Sequence, residues 1–363
     1  MRLEQMVGRV AAEGLRPVRG GTRVFPDHDS AIEPGRQPPD QPHAQADAAA
    51  PSVRPSRSPG HGSLAGLLLA LLTVLTWSTY SIASAAGAAQ GLRPWDMTLL
   101  RFAGGALLVL PFLLRQGRLH DLDGLGWRRG LGLALFGGPL FGIVVYSAFA
   151  LAPLAHATVF PPACVMVTGL ALSAILLGER PGRSQLAGCA LLALGLVALA
   201  YDGLAAGGRL TWLGDLLFAL AGCSWGVFTF LLRYWRVAPL RAVAAVTVPS
   251  ALAIVPAWLL ITGGVPPPVP AGTILAQWFF QGAMGGVLGV AAFGGAVRAL
   301  GAAKASALPS FTPAVTTLLG ILALGHLPTR LELLGMGLAM LGLLLAILGP
   351  GPRRTRSRAD ERT

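Results

Sequence analysis

The sequence predicts an all-α integral membrane protein with about ten transmembrane helices in two inverted five-helix repeats. Three observations predict it. The 363 residues are 53% hydrophobic and 12% charged, with a mean hydropathy of +0.62. Soluble domains carry about a quarter charged residues, so this chain has too little polar surface to solvate a globule of its size. From Gly62 onward, uncharged apolar runs alternate with short polar breaks. A run of about twenty residues, at about 1.5 Å per residue, spans a hydrocarbon core of about 30 Å. Finally, landmarks of the first half return in the second at a nearly constant interval.

Residues 1–61 differ in kind. Prolines at 34, 38, 39 and 42, and three more between Pro51 and Pro59, leave no apolar run to offset the entropy of ordering. The segment reads as a disordered cytoplasmic tail or an over-extended gene start. No apolar core follows Met1 at the distance a signal peptide requires. The expected spans are Ser63–Ser84, Met97–Leu114, Gly130–Leu151, Ala157–Leu177 and Ser184–Tyr201 in a first repeat over 62–203. Leu213–Leu232, Ala242–Ile261, Ile274–Val297, Ala305–Leu324 and Leu333–Leu348 follow in a second repeat over 204–349. No charge lies between Ala242 and Val297, and the break there is read from Gly263 to Pro270, whose four prolines cannot continue a helix. Residues 350–363 form a basic tail.

The formal net charge is +12, but the basic residues form short clusters between apolar runs, which fits headgroup level and argues against nucleic acid. With both termini cytoplasmic, inside loops and the C-terminal tail collect sixteen Arg and Lys. These are Arg115, Arg118, Arg128 and Arg129, then Arg180 and Arg183, Arg233, Arg236 and Arg241, Arg298 and Lys304, and five in the tail. Outside loops receive Arg93, Arg209 and Arg330. Losing one span would swap every later loop and erase this bias, so span count and charge count support each other. The arginine-rich, lysine-poor composition looks like that of a high-GC bacterial genome, and a bacterial inner (plasma) membrane is the expected location.

Trp77 answers to Trp225 after 148 residues, while Pro162, Gly178, Pro181, Gly188 and Gly195 answer to Pro309, Gly325, Pro328, Gly335 and Gly342 after 147. Five spans per half is an odd number, so the second half inserts upside down relative to the first. Inverted repeats are a mark of secondary transporters, which exchange the roles of the halves to open to either side.

Trp77-Ser78, Leu100-Arg101-Phe102 and Leu177-Gly178-Glu179-Arg180, with Gly214-Asp215, Trp225-Gly226 and Thr312-Pro313-Ala314 in the second half, resemble the EamA branch of the drug/metabolite transporter superfamily. The resemblance covers about residues 62–349. It implies ten helices, cytoplasmic termini, a central cavity lined by helices one to four and six to nine, and peripheral fifth and tenth helices. Two departures stand out: Gly325-His326-Leu327 lacks the acidic residue of the usual Gly-Glu, and Ser78 replaces a common glycine.

Arg101 lies about four residues inside its span, where a charge costs about 2.5–3.5 kcal/mol on the insertion scale. It is either an anchor for an anionic solute or an interfacial arginine beside Asp96. His156, at the outer end of the fourth span, is a coupling candidate because histidine titrates near neutrality. Glu179 and Arg180 read as a gate closing the cytoplasmic end of the fourth span. Pro161-Pro162 and Pro309 with Pro313 are expected to interrupt the fourth and ninth helices in corresponding places, beside a cavity. Thr158, Thr168, Ser306, Ser310, Thr312, Thr316 and Thr317 either bond a solute or join helices. Trp77, Tyr80, Trp225 and Phe228 are cavity walls or core.

No phosphate-binding loop, metal cluster or catalytic triad is evident, and Cys164, Cys189 and Cys223 read as buried structural thiols. No cofactor and no metal are expected. The leading function is a secondary transporter, an exporter of a small metabolite or amphipathic compound, with proton coupling and a homodimer left open. The alternatives are a lipid-carrier flippase or accessory subunit, and a membrane-embedded transferase.

Overall fold

In the computed structural model, each expected span falls on one helix, although the third runs on to Leu151 past a helix that ends at Phe149 and the ninth begins at Ala305 before a helix that starts at Leu308. The structure describes residues 61–205, 209–300, 305, 307–325, 327–349 and 353–354. The helices are α1 (His61–Ala89), α2 (Pro94–Arg115), α3 (Trp127–Phe149), α4 (Leu154–Leu177), α5 (Arg183–Ala205), α6 (Thr211–Tyr234), α7 (Pro239–Thr262), α8 (Ala271–Leu300), α9 (Leu308–Leu324) and α10 (Arg330–Leu348). Among the described residues, nine are long and apolar enough to cross a membrane, and α9 is a shorter apolar helix. Ser306, Lys304, His326 and residues 1–60 lie outside the described residues.

Helix ends follow local chemistry. Pro94 opens α2, where Asp96 reaches back to the Arg93 backbone N–H at 3.1 Å. Gly178 and Gly325, the repeat-related pair, end α4 and α9 with φ of 65° and 66°, a left-handed conformation that glycine adopts without cost. The starts of α5 and α10 also match. Gln185 accepts the Gly182 N–H at 2.9 Å, and Glu332, 147 residues on, accepts the Thr329 N–H at 2.9 Å.

Three helices are irregular. α3 breaks at Gly138, before Pro139, and a Cβ at Gly138 would lie 2.1 Å from the Ala134 carbonyl oxygen. Between Trp278 and Leu288, α8 is a π-helix. α9 opens as a 3₁₀ turn over Leu308–Phe311. The expectation of matched proline interruptions needs correction. α4 runs unbroken through Pro161 and Pro162, while Pro309 sits in the opening turn of α9 and Pro313 in the first turn of the α-helix after it. Pro313 costs little there, because first-turn N–H groups have no partner within the helix.

Packing runs mainly between the halves. α4 lies on α6, α1 on α8 and α9, α2 on α7, α3 on α6, and α5 on α10. Exchanging each helix with its repeat partner returns the same set, as a two-fold relation requires. The α5–α10 contact shows this in detail. A Cβ on Gly188 would sit 2.4 Å from the Gly342 carbonyl oxygen, and one on Gly195 would sit 2.6 Å from that of Gly335. Gly188 corresponds to Gly335 and Gly195 to Gly342, so the two contacts interchange under the repeat. Leu260, Ile175 and Leu322 are 86%, 77% and 76% exposed, and Thr73, Thr76, Ser78 and Ser84 are buried. That inverted distribution suits lipid as the solvent. After α10, Arg353 and Arg354 form a two-residue antiparallel ladder with Arg180 and Glu179.

Candidate functional site

A cavity of about 400 Å³ lies between α1, α2, α3 and α4 of the first half and α6, α8, α9 and α10 of the second. Helical spacing presents the wall: Trp77, Tyr80 and Ser81 share one face of α1, Trp225 and Thr229 one face of α6, and Ala157, Pro161 and Val165 one stripe of α4. Glycines bring α6 close to α4, since a Cβ on Gly222 would lie 2.6 Å from the Pro161 carbonyl oxygen. The resemblance implied a peripheral tenth helix, but α10 contributes Leu343 and Ile347, whereas α5 and α7 contribute nothing to this wall. Pro309 and Ile347 lie within a residue of the ends of α9 and α10, so the cavity reaches the end of the bundle that carries Arg115, Arg183 and Arg233. Toward the opposite end, Met97, Tyr146, Phe149, Phe160 and Phe218 pack into one apolar cluster.

Of the candidate residues, Trp77, Tyr80, Arg101, Pro162, Trp225 and Pro309 line the cavity. Ser310 is buried next to Pro309 with its Oγ unbonded, and Pro313 is buried one residue beyond lining Thr312. Trp77 packs on Phe293 at 5.6 Å and Trp225 on Phe141 at 4.9 Å between ring centroids, giving two aromatic walls. The hydroxyls divide cleanly. Thr158 and Thr317 bond carbonyls of their own helices, while those of Tyr80, Ser310, Thr312 and Thr316 have no partner.

Arg101 is 7% exposed, about two turns into α2. It does not pair with Asp96, whose carboxylate is bound by Arg93 at 2.7 Å and by Trp258 Nε1 at 2.7 Å. The Arg101 guanidinium lies instead over the rings of Tyr80, Phe102 and Phe141 at 4.9, 5.6 and 5.9 Å, and its Nε and Nη1 have no hydrogen-bond partner. Behind Tyr80, Tyr146 donates to Gln281 Oε1 at 2.8 Å, and Gln281 donates to Ser84 Oγ at 3.2 Å and Gln277 Oε1 at 3.0 Å. Gln281 stands in the π-helical segment of α8, a distortion that often marks functional sites.

The α4–α6 seam carries a polar pair at each end. At one end His156 Nδ1 meets Asp215 Oδ1 at 2.6 Å, both buried, with His156 Nε2 unbonded. At the other, Arg233 donates to Glu179 Oε1 and Oε2 at 2.9 and 3.1 Å and to Ser173 Oγ at 3.1 Å. Arg180 is exposed and joins the ladder to Arg353 through its backbone. A second crevice of about 410 Å³ holds Glu179 and Arg233 and shares Val165, Met166 and Thr229 with the central cavity. Among the described residues, no His, Cys, Asp and Glu cluster could hold a metal ion.

Sequence reasoning missed Tyr146, Gln281, Phe141, Phe293 and Arg233, and did not join Asp215 to His156. One signal was available: Gln277 and Gln281 are amides four apart in an otherwise uncharged span, and such groups must find partners in a bilayer.

Two halves of apolar helices related by inversion around a shared cavity define a polytopic membrane transporter. The EamA-like transporter family matches residues 64–201 and again 212–348, and the chain belongs to that family, within the drug/metabolite transporter superfamily. An uncharacterized protein of Pseudomonas aeruginosa, PA1977, is 32% identical over 290 residues, covering 78% of this chain and 94% of that protein. A solved crystal structure at 23% identity superposes with a TM-score of 0.55 over 78% of this chain and 97% of its own, which supports the fold.

Proposed function

We propose that this chain is a secondary transporter that exports a small amphipathic metabolite from the bacterial cytoplasm by alternating access, with proton linkage at His156–Asp215. The observation that carries the reading is the α4–α6 seam, which joins the two halves, borders the cavity and has a polar pair at either end. The cavity lining runs from Pro309 and Ile347 at the arginine-rich end, which the positive-inside bias assigns to the cytoplasm, to Phe149 and Ala157 near the other end. Both pairs are formed in this structure, so alternating access would part Glu179 from Arg233 to open the cavity toward one side and His156 from Asp215 to open it toward the other. Arg233 is 59% exposed, so its pair is weak enough to break in each cycle. Outward direction rests on the family resemblance.

The test compares metabolites of medium and cytoplasm in cells expressing the wild type or the Pro162→Ala/Pro309→Ala variant. Wild-type-specific outward movement of a compound is expected. Equal profiles with equal membrane levels of both proteins would count against the cavity as the route.

A further inference from the structure

We propose that the central cavity selects amphipathic organic monoanions, a small apolar carboxylate being the simplest, and discriminates against amines and zwitterions of the same shape. This rests on the transporter reading above and names the substrate class of that cavity.

Arg101 is the origin of the selectivity. Holding a guanidinium away from water without an anion is unfavourable, and the ring faces of Tyr80, Phe102 and Phe141 offset only part of that. Among the described residues no carboxylate pairs with it, and its Nε and Nη1 are unbonded. The Tyr80 hydroxyl, also unbonded, is on the same wall. Guanidinium N–H groups and a phenol O–H together suit an oxyanion, with charge-assisted bonds about twice the strength of neutral ones.

The rest of the wall defines what accompanies the anion. Among the described residues, Arg101 is the one charged side chain on it, so one negative charge is matched and a second is not. A phosphate monoester is therefore a poorer fit than a carboxylate or sulfonate. Among the described residues, no acid lines it to receive an ammonium group. Aromatic faces attract cations in isolation, but Arg101 already covers Tyr80 and Phe141, and its charge opposes a second cation in the same cavity. The Trp77–Phe293 and Phe141–Trp225 walls suit an apolar body, and the volume lies within the range of small-ligand pockets, about 300–1,000 Å³.

The test uses the purified full chain and three probes of one shape: 3-phenylpropanoate, phenylalanine and phenethylamine. Tryptophan fluorescence reads binding in detergent, and proteoliposomes read transport. The carboxylate should bind at least about tenfold more tightly than the other two, a difference of about 1.4 kcal/mol. Arg101→Gln should erase that preference, and Arg101→Lys should retain part of it, with circular dichroism and gel filtration confirming that both variants are folded. Equal or tighter binding of the amine or zwitterion, absent carboxylate binding, or an unchanged preference in Arg101→Gln would each overturn the proposal. Carboxylate bound in detergent but not moved in proteoliposomes would leave the anion site standing and defeat the transporter reading. A non-anionic solute moved equally by wild type and Arg101→Gln would do the reverse.

Discussion

Tyr80 and Tyr146 lie with ring centroids 6.3 Å apart and have opposite hydrogen-bonding states. Tyr146 is tied to Gln281, whereas the Tyr80 hydroxyl is buried and unbonded. Tyr146→Phe should therefore leave Gln281 Oε1 without its donor and cost about 1–2 kcal/mol, read as a lower melting temperature in detergent. Tyr80→Phe should stay within about 0.5 kcal/mol of wild type in stability while weakening solute binding several-fold. If Tyr80→Phe were as destabilising as Tyr146→Phe, the hydroxyl would have a structural partner rather than a free role at the cavity. Tyr80 was legible because its repeat partner Phe228 marks an aromatic position in each half. Tyr146 was not, because its importance arises from a residue 135 positions away.

Helix contacts give two tests of their own. Gly342→Leu should push α10 from α5, since even a Cβ there would come 2.6 Å from the Gly188 carbonyl oxygen. Overpacking of this kind costs about 1–3 kcal/mol, measurable as a fall in melting temperature. Gly337→Leu, on the same helix with open space around it, should cause no such fall. At the α4–α6 seam, Glu179→Arg or Arg233→Glu alone should slow transport by placing like charges together. The double reversal should recover much of the rate in proteoliposomes, and failure to recover would mean the pair is not a gate. The helices themselves were legible, since each apolar run is a local property of about twenty residues. The continuity of α4 through two prolines and the π-helical stretch of α8 were not, because neighbouring helices determine whether a distorted turn is tolerated.

For the whole molecule, the sidedness that the charges imply is open to direct measurement. A membrane-impermeant maleimide should label Arg330→Cys in intact cells, and Arg118→Cys only once the inner face is exposed. The reverse pattern would invert the transporter and the exporter reading with it. Proton linkage predicts that Asp215→Asn flattens the pH dependence of transport while leaving membrane insertion intact; an unchanged pH profile would remove His156–Asp215 from the coupling step. Span count, inversion of the halves and membership of a transporter class followed from hydropathy, charge and a 147-residue interval, because transfer into a bilayer is a sum over neighbouring residues and a repeat is written in the chain itself. The unpaired state of Arg101, the partner of His156, the bond between Glu179 and Arg233 and the contribution of α10 to the cavity emerged from the folded arrangement. Each depends on which groups from distant parts of the chain meet in the folded bundle, and in lipid that is a question of packing and hydrogen bonding that no local pattern encodes.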